Sequence, residues 1–136
     1  MTIASLEALR DAIRASTGPD RNDARLTEIA FAKHALGHDV VGETGFMWKR
    51  ISPDHGEGVN VPAYLDPLAG PGVLFAAARE RWAECSISTH SSGADAVCAV
   101  NLHNGIIKSG THPLLAHALA LAMVEAAIQE RDNANV

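Results

Sequence analysis

A chain of 136 residues with eleven Lys and Arg against sixteen Asp and Glu carries a formal charge of −5 and no basic run, which argues against a nucleic-acid partner. Hydrophobic residues make up 47% of it, enough for one substantial core and too much for a disordered chain. The apolar run 113–124 is too short and alanine-rich to span a bilayer, and Met1–Glu7 lacks the basic and apolar regions of a secretion signal, so a cytoplasmic protein with two reduced cysteines is expected.

Ile3, Leu6, Leu9 and Ile13 recur at helical spacing, with Glu7, Arg10, Asp11 and Arg14 on the other faces, which predicts an amphipathic first helix. Thr17-Gly18-Pro19-Asp20 ends it, with Gly18 as the residue after the cap and Pro19 as the stop. Asp20 or Asn22 can cap a second helix, about 22–36, with Leu26, Ile29, Ala30, Lys33 and Leu36 as its stripe and Gly37 as its end. The two form a helical hairpin. Residues 38–70 are punctuated by Gly42, Gly45, Pro53, Gly56, Gly58, Pro62, Pro67 and Gly70, and read as a long loop, functional or mobile, with one candidate strand, Phe46–Ile51. A third helix, about 71–80, follows, with Pro71 in its first turn.

From Cys85 the pattern alternates. With 91–94 as a loop, His90 stands opposite Asp95. Cys85, Ile87, Thr89, Ala96, Cys98, Val100 and Leu102 then share an apolar face turned to the core, and Glu84, Ser86, Ser88, His90, Val97, Ala99, Asn101 and His103 share the other. Asn104-Gly105 is a two-residue turn signal, so Ile106–Ser109 returns as a third strand. Thr111 then caps a last helix with Pro113 in its first turn, and the tail from Asp132 lies beyond its ordered part. From Leu114 to Val124 that helix has one polar residue, His117, so it must be covered on two sides. Either the N-terminal hairpin covers it or a second copy does, which keeps a homodimer through this helix open. The expected fold is α+β: a three-layer α/β/α sandwich around a small antiparallel sheet, in a single domain.

Three short motifs carry a resemblance. They are Thr17-Gly18-Pro19-Asp20-Arg21 between two helices, Pro62-Ala63-Tyr64-Leu65-Asp66 before a third, and Gly110-Thr111-His112-Pro113 before an alanine-leucine helix. Over residues 5–128 the chain resembles the phage ABA sandwich domain family. The resemblance implies the α/β/α layering, a life inside an infected bacterium and an accessory role there. It transfers no catalytic residue.

Candidate chemistry thins out on inspection. His34 and His38 have a zinc-helix spacing, but Gly37 breaks the helix between them and a site needs three or four ligands. Cys85, Cys98, His90 and His103 fall on opposite faces of the hairpin, which scatters a metal set. The register also sets the two cysteines as diagonal neighbours, too far apart for a disulfide, so buried free thiols are expected. His117 on an apolar stripe reads as a satisfied core or interface histidine. No serine sits in a nucleophile elbow, and Gly70-Pro71-Gly72 lacks the strand and third glycine of a dinucleotide site. No metal and no cofactor are expected, and catalysis is disfavoured.

The candidates that survive are for binding. Glu84, Ser86, Ser88, Asn101 and His103, flanked by Trp82, form a polar hairpin face. Thr111 and His112 stand at an expected helix start that could hold an anion. Phe46, Met47, Trp48 and Tyr64 are apolar anchors of the kind that dominate interfaces. The expected function is that of a non-catalytic, phage-type accessory protein, an anti-defence inhibitor that binds a host protein or sequesters a small anionic signal. A small metal- or nucleotide-dependent enzyme, with His34, His38, His55 or His112 converging, and a virion component are the alternatives.

Overall fold

Helix α4, Leu115–Ala134, is the axis around which the chain is built. Every residue from Ala116 to Val124 is buried, because different elements cover its different faces. Strands β5, Asp95–Asn101, and β6, Ile107–His112, lie on one side, and helices α1, Leu6–Ala15, and α3, Gly70–Arg81, pack elsewhere around it. The computed structural model describes residues 3–16, 21–41, 45–52 and 54–135. The expected helix end at Gly18 and Pro19, the cap at Asp20 and the breaks at Gly42 and Pro53 lie outside them, as does the side chain of Asn22.

The stripe predicted for the first helix is the one that packs: Leu6, Leu9 and Ile13 are buried, and Ser5 caps the helix by accepting from the Ala8 N–H at 3.1 Å. Helix α1 runs antiparallel to α4. Arg131 grips the Glu7 carboxylate with two hydrogen bonds of 2.9 and 2.6 Å, Arg10 meets Glu125 at 3.3 Å, and Ser16 meets His117 at 3.0 Å. The cover for α4 therefore comes from the chain itself, so its apolar circumference gives no reason to expect a second copy there.

Helix α2, Arg21–Ala30, continues as a π-helical turn, Phe31–Ala35. The wider turn shifts the buried face. Phe31, Ala32 and Ala35 point inward, while Lys33 and Leu26 of the predicted stripe are exposed. Gly37, at φ 72°, ends the segment as expected.

The segment between Gly37 and α3 departs from expectation. It holds a three-stranded antiparallel sheet: β1, Asp39–Val40; β2, Phe46–Ser52; and β3, His55–Asn60. The candidate strand at 46–51 is its centre. Its partner β3, with Gly56 and Gly58, has little strand propensity of its own; pairing with β2 imposes the conformation.

The second sheet, in order β4-β5-β6, begins with β4, Ser86–Ser92. Its faces are those expected and its register is not. Ser86 pairs with Asn101 and Ser92 with Asp95, so the strands run two residues further and the connection is Gly93-Ala94. Gly93, at φ 65°, followed by a residue without positive φ, fits a type II′ hairpin. The Asn104-Gly105 link is the longer one: Asn101 pairs with Ile107, and His103 takes a left-handed φ of 57°. Helices and two small antiparallel sheets make the α+β fold expected, but the layering differs. The β4-β5-β6 sheet has α4 on one face, and its other face, with Ser86, Ser88, His90, Ser109 and Thr111, is exposed. Among the described residues no helix is long and apolar enough to cross a membrane.

Candidate functional site

The strongest candidate is the outer face of β1-β2-β3. Side chains alternate along β2, so Met47 turns to the core with its neighbours Val40 and Val59. Phe46 and Trp48 take the opposite face and remain 51% and 49% exposed, next to Val41 at 63%. Across the ladder Trp48 faces Gly58, and its indole lies over Gly56, where an added Cβ would fall 2.5 Å from Cε2 and Nε1. The indole thus shields a glycine strand, a stabilising arrangement in its own right. Half of its surface still faces outward.

A polar brace holds this sheet to α2. Glu28 is fully buried, and its Oε2 accepts from the Leu65 N–H at 2.9 Å. Arg25 meets Glu28 Oε1, the Pro62 carbonyl and the Gly45 carbonyl, each at 3.4 Å. The start of β2 and the segment after β3 are thereby tied to one helix face. Tyr64 belongs to this brace: it is buried, its ring is 5.1 Å from that of Phe31, and burial pushes its phenol above the ordinary range. Tyr64 and Met47 are core residues, not exposed anchors; Trp48 and Phe46 alone of the four are outward.

A second cluster joins residues far apart in the chain. His112 and His117 stack at 4.6 Å, and both hold Ser16 at the end of α1. His112 Nε2 lies 2.9 Å from the Ser16 carbonyl oxygen, and His117 Nε2 lies 3.0 Å from Ser16 Oγ. The second contact has the geometry of a nucleophile and its base. The rest of the chemistry is missing. His117 is buried, and desolvation, with His112 beside it, lowers its pKa from 6.5 to about 4, far from the range of an effective base at neutral pH. Its Nδ1 has no partner among the described residues to orient the ring. The cluster ties the end of α1 to β6 and α4.

The expected helix start at 110–113 is not one. Gly110, Thr111 and His112 are strand residues, paired with Cys98, Val97 and Ala96, and Thr111 is exposed on the outer face of the sheet. Strand β6 continues because Gly110 and His112 pack inward. Helix α4 starts at Leu115 with no side-chain cap, and His112 Nδ1 accepts from the Leu114 N–H at 3.0 Å. The anion site proposed at a helix terminus is therefore absent from this position.

The polar hairpin face is partly consumed by its own turn. Asn101 Oδ1 accepts from the His103 N–H at 2.8 Å, and His103 bonds Ser86 Oγ. Ser88 and Glu84 are exposed, but Trp82, expected at the flank, is buried, with Nε1 donating to Glu130 at 3.2 Å. A cleft lined by Leu36, His38, Ala77, Glu80 and Arg81 encloses about 170 Å³, below the size common for small-molecule pockets. His34 bonds the Ile3 carbonyl at 3.1 Å, and His55 is exposed at the start of β3. Among the described residues no three His, Cys, Asp or Glu side chains cluster as a metal would require. Cys85 and Cys98 are buried free thiols, and burial raises that of Cys98.

Sequence reasoning named Phe46 and Trp48 but not what lies beneath them. The signal was present in the spacing: aromatics two apart at 46 and 48, glycines two apart at 56 and 58, and a turn between. Ser16, Arg25 and Glu28 carried no such signal, since their partners are set by long-range packing. No protein-family model matches this chain, and comparisons with curated proteins and with solved structures find no similar protein.

Proposed function

We propose that the chain is a non-catalytic protein-binding module whose partner docks on the Phe46–Trp48 face of the β1-β2-β3 sheet. One observation carries this. The chain has six aromatic residues; Phe31, Tyr64 and Trp82 are buried and Phe75 is half-buried, so the two aromatic side chains left exposed are Phe46 and Trp48, on one face. Apolar anchors on a flat face suit a protein partner, for which aromatic side chains supply much of the binding energy. A small anion is a poorer match, because the helix terminus that would have held it is a strand. In keeping with the phage-family resemblance of its motifs, the partner proposed is a protein of the host bacterium, met in the cytoplasm, with the chain acting as an accessory inhibitor.

The test is comparative. Complexes recovered from host lysate with wild-type protein are compared with those of Trp48→Ala and Phe46→Ala, and the affinity for the identified partner is then measured by calorimetry. Trp48→Ala is expected to weaken binding by more than about 1 kcal/mol, measured at a temperature where the variant, which loses the indole cover of Gly56, is still folded. A partner held equally by both variants moves the site elsewhere. Conversion of a metabolite by the purified protein replaces the binding reading with an enzymatic one.

A further inference from the structure

We propose that His112 and His117 form a proton-operated latch that holds the C-terminal end of α1 on the core at neutral pH and lets it go in acid. The hydrogen bonds set the closed state. The Leu114 N–H donates to His112 Nδ1, so the proton of that ring sits on Nε2 and donates to the Ser16 carbonyl. For His117 the tautomer with its proton on Nε2, donating to Ser16 Oγ, is the cheaper one: it leaves the buried Nδ1 as a lone pair, whereas the other would bury an N–H with no acceptor among the described residues. In this arrangement both rings are neutral, and both are tied to one residue of α1.

A second proton on His117 would occupy Nδ1, a buried position that offers no acceptor, and would place a full charge 4.6 Å from the His112 ring. Among the described residues no charged group facing the pair offsets it. On α1, Arg14 turns to Glu125 at 3.8 Å; on β6 the facing group is His112; α4 has no ionisable residue other than His117 itself between Leu115 and Val124. Elsewhere Arg25 is engaged with Glu28, and Arg81 with Glu130. Relief comes from moving the ring into water. Since Ser16 is the residue both rings hold, that movement releases the end of α1. The rest of α1 keeps its own anchors in Leu6, Leu9 and the Arg10–Glu125 pair, so the release is local.

The experiment is hydrogen exchange of the full chain at two pH values, corrected for intrinsic exchange rates, comparing the last turn of α1 with the C-terminal half of α4. Opening of the α1 end is expected to rise on the order of twentyfold between about pH 7 and about pH 5, as for a group at about 4 when closed and 6.5 when open. His117→Gln keeps a donor for Ser16 Oγ and cannot take up the proton, so its α1 protection should not change with pH. Equal loss of protection along α1 and α4, or the same acid response in His117→Gln, overturns the latch. Should that variant fail to fold, a histidine titration by NMR of the wild type decides. Protonation of His117 without faster exchange at Ala12–Ser16 overturns the proposal, and the two moving together supports it. The outcome is independent of what binds at Phe46 and Trp48.

Discussion

Gly110 on β6 lies directly against Ala118 on α4: a Cβ at position 110 would fall 2.3 Å from the Ala118 carbonyl oxygen and 2.6 Å from the Leu121 Cβ. Backbone meets backbone here, so no side-chain rotation can relieve the clash, and strand and helix must separate. Gly110→Ala is expected to destabilise the protein by about 3 kcal/mol, the upper part of the usual cost of overpacking. Urea denaturation checks it as a lower midpoint with an unchanged slope. An unchanged midpoint would mean that the sheet does not approach α4 this closely.

Leu119 is fully buried in the middle of the same helix. Leu119→Asp places a carboxylate among apolar side chains, and a loss of roughly 4 kcal/mol or more is expected, enough to unfold a domain of this size. Circular dichroism and the elution volume report the outcome. A soluble variant that melts like the wild type contradicts the burial of α4.

The brace beneath β2 gives a separate test. Glu28→Ala leaves the Leu65 N–H without its acceptor and Arg25 without the buried carboxylate. A loss of about 2 kcal/mol is expected, because the buried Leu65 N–H is left unsatisfied while the part-exposed Arg25 can turn to water. Glu28→Gln should recover part of it, since an amide oxygen can still accept from Leu65. Thermal melts of the two variants check the order: Ala lower than Gln, Gln lower than wild type.

His117 sets a pH dependence of global stability whose sign follows from its burial. The native ring holds its proton only below about 4, while the unfolded chain takes one up near the ordinary 6.5. Between those values the unfolded state binds more protons, so stability rises with pH across the window and is lost as pH falls through it. The full difference corresponds to about 3 kcal/mol. Denaturation midpoints of wild type and His117→Gln at several pH values isolate it: the gap between the two should narrow toward low pH. A gap independent of pH means that His117 does not titrate with folding.

Some of the architecture was legible because it depends only on periodicity. Leu6, Leu9 and Ile13 mark the buried face of α1 through helical spacing. The faces of β4 and β5 survive a register error of two residues, since side chains alternate with a period of two and an even slip preserves sides. The register itself hung on which turn was tight, and Gly93-Ala94 took that role instead of Asn104-Gly105. Of the first sheet only the central strand at 46–51 was legible; β3 was hidden, because glycines at 56 and 58 have no strand preference until β2 pairs with them.

The candidate site divides in the same way. That Phe46 and Trp48 alternate with Met47 is local, and so could be read along the chain. Which side faces outward depends on Met47 finding the core, and Tyr64, equally apolar in sequence, went inward against Phe31. Thr111 and Pro113 looked like a helix start, yet packing of Gly110 and His112 on α4 carried the strand through Thr111 to His112. Ser16 and His117 stand 101 residues apart, and nothing near either residue names the other. The sequence by itself determined the composition of the core, the helical stripes and the alternation of the strands, because these follow from neighbours within a few residues. Only the tertiary structure decided register, layer order and the pairing of buried polar groups, because each of those is fixed by how whole elements fit against one another.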